Sequence, residues 1–458
     1  MGQLTAKHRT PARQEARRNT DKTAQQMMPH RWHCREITSC STLRITESYT
    51  RRIKPVKDHH PQGNRFKTGM RDNGGKKGYP MSNKLGTSLE ECFGDLPDPR
   101  VQGRCGHKLM DIIIIAICGA LCGADSWVGI ETVGKAKEAW FRQFLKLEHG
   151  IPSHDTFGDV FAKIDSETFQ KRFIRWVESV FRVTKGQVVA IDGKTLRGSH
   201  NRGIGKDAIH LVNAWASANG IVLGQRKSEA KSNEITAIPE LLELLNVSGC
   251  IVTIDAMGCQ TQIAQQIRDC KADYLLRVKD NHSHLKQDIE EWFRYGDEQK
   301  FAGMLMDFHR TTHKTSGRIE IRQCWVVSDP VAFDYIRHYD GWPDLNSIIR
   351  VARERREGDK ITHDTAYYIS SLKADAASIL EATQHHWAIE NSFHWVLDVT
   401  FSEDDSRIRS GESAENMAVL RAVALNLLKQ DTSKSSLRQK RFRAAMDNDF
   451  LLHLLTQV

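Results

Sequence analysis

The sequence predicts an α/β fold: a mixed sheet with helices on its faces, preceded by an all-helical module and interrupted by a β insertion. Three observations carry this. Two continuous Val/Ile runs bounded by glycine, "QVVAIDG" at 187–193 and "CIVTIDAMG" at 250–258, read as strands buried on both faces. Over 187–298 the apolar spacing alternates between strand and helix in the order β, β, β, α, β, α, β, α, which is the pattern of one layered sheet. Before that segment only the helical period occurs, and from about 300 to 372 only strands and turns, until helical spacing returns at Ala374.

At 458 residues the chain is long enough for two or three domains. Its net charge of +9 is unevenly placed: residues 1–80 hold 18 Lys and Arg against 6 Asp and Glu, and the remainder holds 48 against 51. Residues 1–80 are expected to be a disordered basic extension, because they lack the apolar periodicity that would offset ordering entropy, and the organised chain is expected to begin at Met81. A basic arm on nucleic acid is the other use of such a segment. The run from Leu109 to Ala124 contains Asp111 and falls short of the roughly 18–20 apolar residues that cross a bilayer, so a buried helix and no membrane partner are expected. The ten cysteines have no paired CxxC spacing and no secretory signal opens the chain, which fits a reducing cytoplasm.

Residues 81–185 make the helical module. A turn-rich piece with Pro97 and Pro99 leads into a helix from Leu109 to Gly123, then an amphipathic stretch from Trp127, then a helix from about Ser166 to Arg182 that repeats Phe169, Phe173 and Trp176 at helical spacing. Ser153 or Asp155 caps a helix start beside His154. Residues 186–298 form the first part of the core, with strands near 187–192, 208–217, 220–227, 249–255 and 272–278 and helices near 235–246, 260–270 and 283–295. Pro239 is expected in the first turn of its helix. The β insertion spans 299–372, the second part of the core 373–430, and a C-terminal helix 431–458. Within 373–430, "SEDDSRIR" reads as a solvated loop, and Met417, Leu420, Val423, Leu427 and Leu428 form one apolar helix stripe.

Asp192 and Asp255 each stand at the carboxyl end of a buried strand, where ligands gather in such sheets. A charge there costs desolvation unless a cation compensates it, so two with one local pattern suggest a shared divalent ion and phosphoryl-transfer chemistry. If the first and fourth strands are parallel neighbours, as in ribonuclease-H-like sheets, the two carboxylates come within bridging reach. In "HHWAIENSFHWV", Ile389, Phe393 and Val396 face the core, and Glu390 on an adjacent face beside His386 and His394 supplies a third ligand. Lys194, Arg197, Lys279 and Asn281 lie at the same rim as candidates for phosphate contact, while Trp387 and Trp395 read as packing residues.

Residues 85–430 resemble DDE-class insertion-sequence transposases of the ISAs-type group, which includes the H-repeat-associated proteins of Rhs elements. The resemblance rests on "FGDLPDPR" at 93–100, "PSHDTF" at 152–157, "AIDGKTLRGS" at 190–199, "ITAIPELL" at 235–242, "TIDAMGCQ" at 253–260 and "HWAIENSFHWVLDVTFSEDDSRIR" at 386–409. It implies a ribonuclease-H-like core, a helical N-terminal module, and a catalytic, metal-binding triad of Asp192, Asp255 and Glu390. It further implies two Mg²⁺ ions, for which Mn²⁺ can substitute, double-stranded DNA as partner at element ends and target, a homodimer on that DNA, and a place at the nucleoid. Where wider relatives carry Tyr, Arg and Lys around the catalytic Glu, this chain has Thr383, His386 and Leu397, which leaves His386 to take over a phosphate contact. Two alternatives stay open: a non-catalytic DNA-binding remnant, and a zinc-dependent hydrolase using His386, Glu390 and His394 at i, i+4 and i+8.

Overall fold

The apolar β-branched runs become strands almost where their spacing put them: β1 (Val188–Leu196), β2 (Ile209–Ala216), β3 (Ile221–Ser228), β4 (Ile251–Ile254) and β5 (Asp273–Val278). The computed structural model describes residues 87–457 apart from 102, 104, 201, 202, 204 and 229–233, so the expected basic extension and the Met81 start lie outside the described residues. The chain divides into Met1–Lys76, none of which is among the described residues, and Lys77–Val458, which holds everything below.

Strands β1 and β4 are parallel neighbours, in register from Val188↔Ile251 to Ile191↔Ile254, and β4 pairs in parallel with β5. On the other side β1, β2 and β3 form an antiparallel meander. The segment expected as a β insertion contributes four more strands, β6 (Met306–Thr315), β7 (Arg318–Val327), β8 (Ser347–Glu357) and β9 (Lys360–Ser370). They continue the same sheet, because β9 lies antiparallel on the free edge of β5 from Leu275↔Ser370 to Val278↔Tyr367. The nine-stranded order is β3-β2-β1-β4-β5-β9-β8-β7-β6. Backbone groups on the edge of β5 would otherwise lack partners, which is why the segment joins the sheet.

Helices precede and cover it. The N-terminal module comprises α1 (Thr87–Phe93), α2 (Leu109–Leu121), α3 (Trp127–Ala136), α4 (Glu138–Phe141), α5 (His154–Lys163) and α6 (Ser166–Val180). The stretch from Trp127 breaks into α3 and α4 at Lys137, whose ammonium is buried and donates to Asn448 Oδ1 at 2.6 Å. Ser153 caps α5 by accepting from Thr156 N, as expected. Helices α7 (Glu234–Leu244), α8 (Thr261–Asp269) and α9 (Ser283–Glu298) flank the core strands, and α10 (Pro330–Tyr335) lies between β7 and β8. Pro239 falls inside α7 and not in its first described turn. Its missing N–H costs about 3 kcal/mol in a helix interior; burial of Ile238, Leu241 and Leu242 offsets it.

After β9 come α11 (Ala376–His386), a π-helical turn (Glu390–His394), α12 (Trp395–Thr400), α13 (Ser413–Gln430), α14 (Leu437–Met446) and α15 (Asn448–Thr456). The C-terminal segment is thus two helices where one was expected, divided at Asp447, which caps α15 through Phe450 N. Helix α13 is buried on every side from Ser413 to Leu428, more than the single stripe in its sequence implies, because α2, α5 and α6 pack on one side and β3 on another. Two of its buried asparagines tie it to its neighbours: Asn416 Nδ2 donates to Phe161 O and Ile164 O, and the Asn426 amide exchanges two 2.9 Å bonds with Val222 N and O. Replacing Asn426 by Ala strands both buried peptide groups of Val222, so chemical denaturation of Asn426→Ala should show a loss of about 2–4 kcal/mol.

Candidate active site

Asp192 sits in mid-strand. β1 was expected to end at this residue, yet it continues along β2 as far as Leu196↔Ile209, while its pairing with β4 stops at Ile191↔Ile254. The sheet therefore opens beside Asp192 on the β4 side. Asp255 is the first residue past β4, directly across this opening, where neighbouring strands stand about 4.8 Å apart. It caps a 3₁₀ turn, Ala256–Gly258, by accepting from Met257 N at 2.9 Å. Asn281 Nδ2 donates to Ala256 O at 2.7 Å and ties the exit of β5 to that turn.

Glu390 begins the π turn, a local widening of the helix that recurs at functional sites. The sheet holds it from both sides. His386 Nδ1 is 3.0 Å from Thr253 Oγ1, two residues before Asp255, and Ser217 Oγ donates to His385 O at 2.9 Å. On the far side Phe393 stacks on Trp215 with centroids 5.3 Å apart, and His394 Nδ1 lies 3.6 Å from Asp192 Oδ2. The Glu390 carboxylate itself remains exposed.

Burial pushes the Asp192 carboxyl up to about 7, helped by the negative charges of Asp255, Glu234 and Glu390 and opposed by the Gly193 N–H. Burial also pushes His394 down to about 3, with Lys194 and His210 adding, and His386 down to about 4, so both imidazoles are neutral at pH 7. Carboxylates from two strands and a distant helix thus act on one another, a demand for positive charge that a metal site would meet.

Residues 183–427 match the family model of the transposase DDE domain, and residues 90–177 match that of the DDE_Tnp_1-associated family. The chain belongs to the DDE transposase family. It is 41% identical over 80% of its length to "Putative transposase YncI" of Escherichia coli O157:H7, covering 94% of that protein. It is 37% identical, again over 80% of its length, to "H repeat-associated putative transposase YhhI" of Escherichia coli strain K12, covering 97% of it.

In this transposase several residues expected at the rim have other work. Lys194 is buried, its Nζ 2.6 Å from Asp398 Oδ1 and 3.4 Å from both Glu403 Oε2 and Asp404 Oδ1. It cannot also reach a phosphate. His386 turns its Nδ1 to Thr253 and is neutral, so any phosphate contact would fall to its Nε2–H as an uncharged donor. Asn281 is exposed but spends its amide on Ala256 O. Arg197, 3.4 Å from Asp404 Oδ2 with 80% of its side chain accessible, and exposed Lys279 do face solvent. Trp387 and Trp395, expected to pack, are 41% and 57% exposed, since Ile389, Phe393 and Val396 take the core-facing positions.

The "SEDD" loop is also more than solvated. Glu403 is 2% exposed, between Lys194 and Arg421 Nη1 at 3.5 Å, and so joins the β1 residue next but one to Asp192 with the loop after α12 and the centre of α13. On the opposite face of β1, His210 Nε2 pairs with Glu234 Oε1 at 2.5 Å and Nδ1 with Thr195 Oγ1 at 2.9 Å. A Cβ on Gly193 would collide with both Glu234 and His210. Nothing in the sequence alone pairs Lys194 with Glu403 or Glu234 with His210; the "AIDGKT" spacing marks the strand without revealing what lies across it.

The family uses divalent metal. Three carboxylates match a hard cation in donor type, while among the described residues no three of His, Cys, Asp and Glu are gathered tightly enough to hold one ion. The zinc alternative fails on geometry. His386 and His394 are eight helical residues apart, about 12 Å along the axis, and their Nδ1 atoms face Thr253 and Asp192.

Two outcomes follow from this arrangement. Lys194→Met leaves buried Glu403 with Arg421 alone and the part-exposed Asp398 unpaired, and should cost about 1.5–3 kcal/mol in denaturant unfolding; an unchanged midpoint would show the clamp to be dispensable. Asp192 holds its proton more tightly folded than unfolded, so its stabilising contribution is full below about pH 4 and is lost as pH rises through about 7. Without divalent cations, the stability of Asp192→Asn relative to wild type should therefore climb between those limits, by at most about 4 kcal/mol before screening. A difference flat across pH 4–9 would contradict the coupling.

Proposed function

We propose that the chain is an active DNA transposase that binds insertion-sequence ends and catalyses strand cleavage and strand transfer with two divalent ions on Asp192, Asp255 and Glu390. The observation that carries it is the register: β1–β4 pairing stops at Ile191↔Ile254, which sets Asp255 across from Asp192, and the helical stretch bearing Glu390 is seated beside them by His386 at 3.0 Å from Thr253 and His394 at 3.6 Å from Asp192. Parallel β1 and β4 flanked by antiparallel β2 and β3 support a ribonuclease-H-like core over 186–298 and 373–430, with 81–185 as the helical module, 299–372 as an appended β arm and 431–458 as a helical C-terminus.

Asp192 and Asp255 would be shared or flanking ligands and Glu390 would complete the second position. Mg²⁺ suits this all-oxygen donor set, with Mn²⁺ as substitute. When bound, a pair of such ions supplies Lewis acidity and an activated water or 3′-hydroxyl. The chain does the positioning. His386 and Ser217 fix the helix before Glu390, Phe393 fixes the turn after it, and Lys194 anchors β1 to the loop beyond. Arg197 and Lys279 stand exposed at the rim to meet the double-stranded DNA of the ends and target. Assembly as a homodimer on that DNA, in the cytoplasm at the nucleoid, belongs to the same reading; among the described residues no helix is long and apolar enough to cross a membrane.

The test uses duplexes from the DNA flanking the gene. Asp192→Asn, Asp255→Asn and Glu390→Gln should each abolish Mg²⁺- or Mn²⁺-dependent strand cleavage, by a factor of at least about 10³ as expected for lost transition-state charge stabilisation, while end binding stays measurable. Full cleavage by any of the three would refute the assignment, and a wild type that binds ends but never cuts would mark the chain as a binding remnant.

A further inference from the structure

We infer that a trough between the β arm and the helix bearing Glu390 binds backbone phosphates of one DNA strand beside the active site, through Arg277, Arg322 and Arg353. This rests on the transposase reading and adds residues to it.

The strand register places the arginines together. Arg322 of β7 is directly opposite Arg353 of β8, and Arg353 opposite Asp364 of β9, so these three side chains share one face of the sheet. Two strands further along, Arg277 of β5 is opposite Tyr368 of β9, on the same face because Tyr368 and Asp364 are four residues apart. Helix α11 covers this face with Ala376, Ile379 and Leu380 against Cys324, Val351 and Tyr368. Beyond those contacts the face is open, leaving a cavity of about 360 Å³ lined by the three arginines and, from the helix, by Trp387 and Asn391. These last two lie on the helical stretch that bears Glu390, and Arg277 follows Leu276, the partner of Ile254, so it stands level with Asp255 and the trough borders the active site.

Its charges are incompletely answered. Arg322 has Glu320 at 2.7 Å and Arg353 has Asp364 at 3.5 Å, yet like charges facing each other across a ladder destabilise it unless an anion intervenes. Arg277 has no carboxylate within 4 Å among the described residues; its Nε is buried without a hydrogen-bond partner, and its guanidinium rests 5.8 Å from the centre of the Trp387 ring. A fork-shaped donor held open in a trough of net positive charge suits phosphate oxygens. The volume admits a phosphodiester with its sugar, not a whole duplex, which points to the backbone of one strand.

The full chain is tested with two duplexes of equal length, one from an element end and one unrelated, by fluorescence anisotropy over a salt series. Phosphate contacts carry no sequence information, so Arg277→Gln and Arg353→Gln should weaken binding to both duplexes alike and each lower the slope of log affinity against log salt by about 1. Cleavage by the double variant should fall at least tenfold. Arg356→Gln, on the opposite face of β8, should change neither quantity, and Arg277→Lys should regain most of the slope. Unchanged slopes in the Gln variants of a chain that binds and cleaves overturn this inference alone. Equal loss in Arg277→Gln and Arg277→Lys overturns it too, since it would mark Arg277 as packing. A wild type that binds no duplex overturns this inference together with the transposase reading.

Discussion

The structure depends on one pairing, the parallel register of β1 with β4, and above all on where that pairing stops. Four residue pairs bring the strands together and the fifth is absent, so Asp192 and Asp255 face each other across an opening and not across a ladder. A longer β4 would extend the backbone ladder past Asp192 and close the opening between the two strands. The 3₁₀ turn capped by Asp255 ends the strand, and Asn281 fastens that turn to the exit of β5. Strand length here is a functional quantity.

The third carboxylate has to be carried in from far along the chain, and buried polar contacts do this. Thr253 receives His386, Trp215 receives Phe393, and Lys194 receives Asp398, Glu403 and Asp404. Each joins a residue of the core strands to the helix or loop around Glu390. A buried ion pair is weak evidence of net stability, since desolvation consumes much of its attraction; its value in this protein is geometric. Lys194 has acceptors in one direction only, so β1 and the loop after α12 can meet in one way. The family relationship agrees with this division of labour, because the matched transposase DDE domain, residues 183–427, spans all of these contacts.

Much of the layout was legible in the sequence. The five core strands and three flanking helices lie within a few residues of their expected bounds, because a sheet covered on both faces demands continuous apolar runs and the helices demand a 3.6-residue period. Asp192 and Asp255 stood out as charges next to such runs. Other expectations failed for a shared reason. Lys194 looked like a phosphate ligand, Glu403 like solvated charge and Trp387 like core, since a charged or aromatic side chain reveals its type in the sequence but not its partner. The segment 299–372 read correctly as strands, yet nothing in it tells that β9 pairs with β5.

The sequence by itself determined the local elements, the two strand-borne acids and the family, because periodicity, turn residues and motif order are properties of neighbours along the chain. Only the tertiary structure decided which charges are buried, which arginines share a face, and that a helix residue after position 380 stands by Asp192. Those facts depend on register between strands and on packing between segments far apart in sequence, and a slip of one residue in either would turn every one of these side chains to the other face.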